Sequence, residues 1–392
     1  MSKDLKPASR LVHAGRVPRD YHGAVNPPIY RASTILQPTL EAWEASRQPG
    51  YKGLRYGVVG TPTTLAFEEA MAEIYGVDHC VATSSGLAAV TTALLALTKA
   101  GDHLLMTDSA YDPTRRFCDA MLKHFGVAVE YYDPRIGAGI ADLIRPETSL
   151  VYTESPGSLT FEIQDIPAIV AAAHAKGAKV ALDNTWATAL LFNPFEHGVD
   201  VVIEAVTKYV AGHADVLMGV VLAKGNLGRV VHSTAKMLGN CCGPEELYLA
   251  QRGLRSMAVR LERCGATALI LADWLATRPE VRRVLHPARP DHPDHALWRR
   301  DFRGASGLFS MLLEPLPRPA LSAFFDGLRL FGIGASWGGY ESLIMPADPA
   351  RTRTAVPWTE TGHLIRLHAG LEDPDDLMAD LEAGFERAVA QR

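Results

Sequence analysis

Lys208 sits in the run Val206-Thr207-Lys208-Tyr209, directly after the apolar stretch 199–205, and Asp183 closes a second short apolar stretch about 25 residues upstream. A lysine at a strand end can lose hydration, which lowers the ammonium pKa and makes the amine nucleophilic. Parallel strands bring their carboxyl ends to one crevice, so the Asp183 carboxylate would share that crevice. An amine that condenses with an aldehyde, and a carboxylate that keeps a pyridine nitrogen protonated, are what pyridoxal phosphate needs to act as an electron sink. Taken singly, each residue also has a plainer reading: a snorkelling surface lysine and a helix N-cap aspartate.

The elements that would position this pair follow from the apolar runs 80–83, 103–106, 127–131, 149–153, 179–182, 200–203 and 217–222. Their spacing is that of strand–helix units, which predicts an α/β domain with a mainly parallel seven-stranded sheet covered by helices on both faces. Further candidates stand just beyond these runs. Ser84-Ser85-Gly86-Leu87 opens an Ala-rich helix whose free amides and dipole suit a phosphate, and Tyr111, Glu154-Ser155-Pro156-Gly157 and Thr207 end other runs. Before the sheet, Thr61-Pro62 starts a helix that Gly76 ends.

Residues 1–60, rich in Pro, Gly, Arg and Tyr, read as an extended arm that packs on a neighbouring subunit. Residues 61–253 make the large domain, and a long helical pattern from Gln251 to Leu275 leads into a smaller α+β domain, 254–392. In that domain Arg366 lies within the alternating run Leu364-Ile365-Arg366-Leu367-His368. A buried guanidinium there needs an anion, either a substrate carboxylate or an internal acid. Trp337, with Ser336 before it and Gly338-Gly339 after, suits either a pocket wall or a buried turn.

Composition excludes several classes of partner. A chain of 392 residues with net charge -5 and no basic stripe advertises neither nucleic acid nor an anionic membrane. The five cysteines are odd in number and lack C-x-x-C spacing, which fits reduced thiols rather than a disulfide frame or a zinc site. Cys80 to Thr98 is free of charge but is broken by Thr83-Ser84-Ser85-Gly86 into pieces too short to span a bilayer. The charged opening Met1 to Arg10 is not a secretory signal, so a cytoplasmic location is expected. His286, His292 and His295, with Asp291 and Asp294, lie among Pro287, Pro290 and Pro293 and read as a surface loop with no metal. Ser233-x-x-Lys236 lacks the companion motifs that would make it catalytic.

Several of these motifs occur together in the order of one family. Ser85-Gly86-Leu87-Ala88-Ala89, Tyr111, Glu154-Ser155-Pro156-Gly157-Ser158, Leu182-Asp183-Asn184-Thr185-Trp186, Thr207-Lys208-Tyr209 and Ser336-Trp337-Gly338-Gly339-Tyr340-Glu341-Ser342 resemble the Cys/Met-metabolism group of pyridoxal-phosphate enzymes, from about Thr34 to Phe385. The resemblance implies an aspartate-aminotransferase-like large domain of fold type I with a smaller C-terminal domain, and a homotetramer built from dimers. It implies Lys208 as the Schiff-base lysine, Asp183 at the ring nitrogen, Tyr111 stacked on the ring, and Gly86, Leu87 and Thr207 around the phosphate, with Tyr56 reaching in from the adjacent subunit. Arg366 would take the substrate α-carboxylate, and Ser336 and Trp337 would line the substrate side.

The implied activity is that of a carbon–sulfur lyase acting on an amino-acid thioether: β-elimination from L-cystathionine to L-homocysteine, pyruvate and ammonia. Relatives with γ-chemistry tend to carry Ser-Pro-Thr-Asn-Pro and a Phe where this chain has Ser155-Pro156-Gly157-Ser158 and Trp186. A cofactor-binding regulator without turnover is the reading from another class. The family's Tyr-x-Arg in the arm is replaced by Tyr56-Gly57-Val58, leaving Arg55 as a substitute cation only if the glycines let it turn back.

Overall fold

The computed structural model describes residues 5–48, 50–51 and 53–391. The strands β1 (His79–Thr83), β2 (His103–Thr107), β3 (Ala128–Tyr132), β4 (Thr148–Glu154), β5 (Lys179–Asp183), β6 (Val201–Glu204) and β7 (Gly219–Ala223) form one seven-stranded sheet in the order β1-β7-β6-β5-β4-β2-β3. Every pairing is parallel except those of β7, which runs antiparallel to β1 and β6. Most of these strands are apolar runs because both faces are covered, a requirement of parallel sheets. One face packs under the helix Pro62–Tyr75 and the first half of the helix Pro244–Leu275, the other under the helices Gly86–Leu97 and Gly225–Met237. Gly86, Tyr111, Asp183, Thr207 and Lys208 lie at or just beyond the carboxyl ends of β1, β2, β5 and β6.

The smaller sheet is built from β8 (Val281–Leu285), β9 (Leu308–Leu313), β10 (Gly332–Ile333), β11 (Leu343–Ala347) and β12 (His363–His368), in the order β10-β11-β12-β9-β8. Its apolar face meets the helices Arg318–Asp326 and Pro374–Val389 and the last turns of Pro244–Leu275. That 32-residue helix therefore belongs to both cores, with Leu254 and Leu261 in one and Leu271 and Leu275 in the other. Two glycines notch it. A methyl group on Gly253 would fall 2.2 Å from the Ala211 carbonyl oxygen, and one on Gly265 2.1 Å from that of Ala305, so no side chain fits at either position.

Two expectations change. The opening residues are not extended throughout: Pro7–His13 is a helix that buries Leu11 against its own chain, and Gln251 donates to the Gly15 carbonyl at 2.9 Å. The proline-rich segment around His286 and His292 is not a surface loop, since both imidazoles are buried. It is drawn inward by Asp294, which takes two hydrogen bonds from Arg135 Nε and Nη2 and one from the Ile163 amide. Burial holds the His286 imidazole at about 3 and that of His292 at about 4, so both are neutral.

A second knot closes the side of the site. Asp108, buried after β2, accepts from Arg115 at 2.8 Å and from the amides of Thr354, Ala355 and Val356 at 3.0, 3.0 and 2.9 Å, tying the segment between β11 and β12 onto the large domain. Arg353 reinforces it through buried Glu162 at 2.8 Å. Removing one partner of a buried pair leaves the other charge uncompensated. Asp108→Ala is therefore expected to cost about 3–5 kcal/mol, read as a lower urea midpoint of unfolding.

Candidate active site

Lys208 follows β6 in a tight turn in which its amide donates to the Ala205 carbonyl at 3.0 Å. Its Nζ lies 2.9 Å from Ser336 Oγ and 5.3 Å from the centre of the Trp337 ring, both on the loop after β10. Burial, helped by the Arg366 charge and opposed by Asp183, brings the ammonium down to about 8. Gly338 is what lets this loop come so near. It has φ 81°, and a methyl group there would sit 2.9 Å from the Lys208 carbonyl carbon. Trp337 lines the cavity, and the backbone of Gly338 comes close to that of Lys208.

Asp183 ends β5 beside Lys208. Thr185 donates to Asp183 Oδ1 from its hydroxyl at 2.5 Å and from its amide at 3.0 Å, and the Thr185 hydroxyl itself accepts from the Ala205 amide at 2.9 Å. Burial raises the Asp183 pKa, while Thr185 and the Lys208 charge pull it back. The plain N-cap reading of Asp183 fails, because the donors on it orient the carboxylate in the cavity instead of capping a regular helix.

Tyr111, Glu154 and Arg366 complete the walls. The Tyr111 amide donates to Glu154 Oε2 at 2.8 Å, and burial together with the Asp183 charge pushes Glu154 well above the usual carboxylate range. Arg366 is buried on β12, where Nη2 donates to the carbonyls of Ala335 at 2.6 Å and Ser336 at 3.2 Å. Among the described residues no carboxylate pairs with it, and burial lowers its pKa to about 10. An internal ion pair is therefore not what Arg366 is for.

Lys208, Asp183, Tyr111, Gly86, Leu87, Thr207, Arg366 and Trp337 line one cavity of about 250 Å³. Tyr111 and Arg366 also border a wider hollow of about 930 Å³, which Arg116, Arg318 and Arg351 line. Gly86 and Leu87 are the first residues of a helix capped by Ser85, which accepts from the Ala88 amide at 3.0 Å, so their own amides precede any intrahelical acceptor. Thr207 is at the site but committed elsewhere: its hydroxyl and amide both donate to the Met218 carbonyl, each at 3.1 Å.

Tyr56 lies outside this cavity. It is half exposed, bridged to Thr34, and borders a separate hollow with Tyr30, Val58 and Cys242. Arg55 turns inward, donating to the Ser46 carbonyl at 3.1 Å. Sequence reasoning gave no role to Thr185, which aims Asp183, or to Glu204 and Tyr75 behind it. The signal for Glu204 was an acid closing the apolar run 201–203.

The chain belongs to the Cys/Met-metabolism family of pyridoxal-phosphate-dependent enzymes, whose family model matches residues 8–386. It is 42% identical to cystathionine beta-lyase of Escherichia coli, over 98% of this chain and 100% of that one. It is equally 42% identical to an L-alanine/L-glutamate racemase of Wolbachia pipientis, over 98% of both chains. Among solved structures, cystathionine gamma synthase from Xanthomonas oryzae pv. oryzae superposes with a TM-score of 0.90 at 32% identity, covering 100% of each chain. The protein is thus a fold type I enzyme that uses pyridoxal phosphate. The residues present fit that cofactor: a lysine near neutrality, an oriented buried carboxylate and an open helix N-terminus converge on one cavity. Among the described residues no helix is long and apolar enough to cross a membrane, and no group of His, Cys, Asp or Glu could hold a metal ion.

A lysine held at about 8 is half neutral two units below an exposed one. Capture of added cofactor by the cofactor-free enzyme is accordingly expected to accelerate up to about pH 8 and then level off. Stopped-flow absorbance across pH checks this, and a rate still climbing at pH 10 would contradict it.

Proposed function

We propose that the chain catalyses β-elimination from amino-acid thioethers, converting L-cystathionine to L-homocysteine, pyruvate and ammonia. The observation that carries this is Arg366, a buried guanidinium that has no carboxylate partner among the described residues, and whose position beside Lys208 and Tyr111 suits the α-carboxylate of an amino acid. Two features favour the β-carbon over the γ-carbon: Gly157-Ser158 in the loop after β4, and Trp186, which is buried with its Nε1 donating to the Leu308 carbonyl at 2.9 Å. The name of the Escherichia coli relative agrees with this reading.

Each residue has a task in it. Lys208 is the residue that would hold the cofactor, and its amine would serve as the base for the α-proton of the substrate. Bound pyridoxal phosphate supplies an electron sink for the pair left behind. Asp183 would hold the proton of the ring nitrogen, and Tyr111 would supply an aromatic wall for the ring. Ser336 steadies the Lys208 amine, and Trp337 forms the wall behind it. The phosphate falls to the amides of Gly86 and Leu87, with Thr207 joining if its hydroxyl turns away from Met218.

Tyr56, facing outward from its own subunit, reaches the site of a second copy in a homotetramer of paired dimers. Exposed Leu36, Leu40, Leu217 and Met237 support such burial between copies. With Arg55 engaged at home and Val58 apolar, neither of these two residues brings a cation to the phosphate. The substrate is soluble and small, and a cytoplasmic setting with neither nucleic acid nor membrane as partner suits it.

Purified protein given L-cystathionine is expected to release pyruvate. Release of 2-oxobutyrate would instead establish γ-elimination, and formation of a D-amino acid from L-alanine without keto acid would place the chain beside its Wolbachia relative. Lys208→Ala is expected to abolish turnover. Arg366→Ala is expected to lose about 2–5 kcal/mol in kcat/KM while keeping its cofactor, as one side of a desolvated charge pair is removed.

A further inference from the structure

Behind Asp183, on the face of the sheet away from the cavity, lies a second buried carboxyl that the chemistry above leaves unused. Glu204 ends β6, the strand paired with β5, and its Oε2 accepts from the Tyr75 hydroxyl at 2.5 Å. The direction of that bond is fixed. Asn184 Nδ2 donates to the same Tyr75 oxygen at 3.0 Å and to the Phe192 carbonyl at 2.9 Å, so the phenol spends its proton on Glu204. All three side chains are buried.

Two routes connect this group to Asp183. Asn184 directly follows Asp183, and its amide donates to the Ile203 carbonyl at 2.8 Å. Ala205 directly follows Glu204, and its amide holds the Thr185 hydroxyl that orients Asp183. The titratable groups that act on Glu204 are Tyr75 from the helix Pro62–Tyr75 and Asp183 from β5, and Cys80 on β1 feels its charge in return. From β7 it meets Val220, which is apolar.

We propose that Glu204 is a positioning residue for the reaction, a switchable negative charge behind Asp183 that sets how firmly the Asp183 end of the cavity holds the proton on the cofactor ring nitrogen. Two buried carboxylates at adjacent strand ends do not both ionise freely. Asp183 has Thr185 and the Lys208 charge to favour its ionised form, so the proton stays on Glu204. Burial is the main cause that pushes Glu204 up to about 8, against the Tyr75 hydrogen bond and with the Asp183 charge. Below that pH, Glu204 is neutral and Asp183 carries the negative charge alone. Above it, the added charge raises proton affinity at the ring nitrogen just where rising pH would strip it. The device thus widens the range over which the ring stays protonated.

This rests on Asp183 facing the ring nitrogen, and the test separates the two. The absorption spectrum of the cofactor-loaded enzyme, without substrate, is titrated from pH 6 to 10 for wild type, Glu204→Gln and Tyr75→Phe, with cofactor affinity measured alongside by equilibrium dialysis. Wild type is expected to show a spectral component centred near pH 8. Glu204→Gln should lose it. In Tyr75→Phe, which keeps the buried ring but removes the donor, the carboxylate is less favoured and the component should move up by about one pH unit. Superimposable titrations for wild type and Tyr75→Phe, or a component surviving in Glu204→Gln, would overturn the proposal even if one variant is poorly folded. Asp183→Ala reports on the underlying assignment: cofactor bound at wild-type affinity would reject it independently of Glu204.

Discussion

One buried negative charge organises the chemistry of this protein. Asp183 is surrounded by groups that would also carry charge if they could, and its field is among the causes that push Glu154, Glu204, Tyr75, Tyr111 and Tyr152 upward. Only Asp183 has both a hydroxyl and an amide aimed at it together with an ammonium in range. The outcome is a division of labour set by hydrogen bonding: Asp183 has the donors that favour its ionised form, while burial and the Asp183 charge push the acids around it toward their protonated forms. Lys208 feels the opposite balance, since burial and Arg366 together outweigh the attraction of Asp183 and bring the ammonium down to about 8.

That balance depends on the smaller domain. Ser336, Trp337 and Arg366 all come from it: Trp337 and Arg366 line the cavity, and Ser336 meets the Lys208 amine. The interface that holds them there is polar and specific. Asp108 gathers three successive amides of the segment 354–356, and Asp294 gathers Arg135 and the Ile163 amide. Such knots are directional where apolar packing is not, so they fix the loop after β10 against Lys208 in one place.

Much of this was legible in the chain because the local pattern and the chemistry coincide. Apolar runs marked the strands, and Lys208, Asp183 and Arg366 stood out as charges at or within them. What could not be read depends on partners far apart in sequence. Glu204 finds Tyr75 across 129 residues, and nothing local marks either as one of a pair. The prolines near His292 signal turns, but the pull of Arg135 on Asp294 spans 159 residues and decides that the turns are buried. Leu11 reads as part of a loose arm until Arg255, 244 residues later, donates to its carbonyl. β8 and β11 escaped notice because Arg282, Arg283 and Pro346 interrupt their apolar pattern.

The two notches in the long helix bear on how the halves of the site keep their distance. Gly253 seats the carbonyls of Val210 and Ala211, just past Lys208, and Gly265 seats that of Ala305, next to the strand that pairs with the one bearing Arg366. Between the notches the helix rises about 1.5 Å per residue, or roughly 18 Å in all, and a helix hardly stretches. It therefore works as a gauge block: amine and guanidinium are built on separate sheets, yet their separation is machined into one rigid part. Inserting a single residue between the two glycines would add only ~1.5 Å of length but would rotate one notch by about 100° relative to the other, so that both carbonyls could no longer be seated at once.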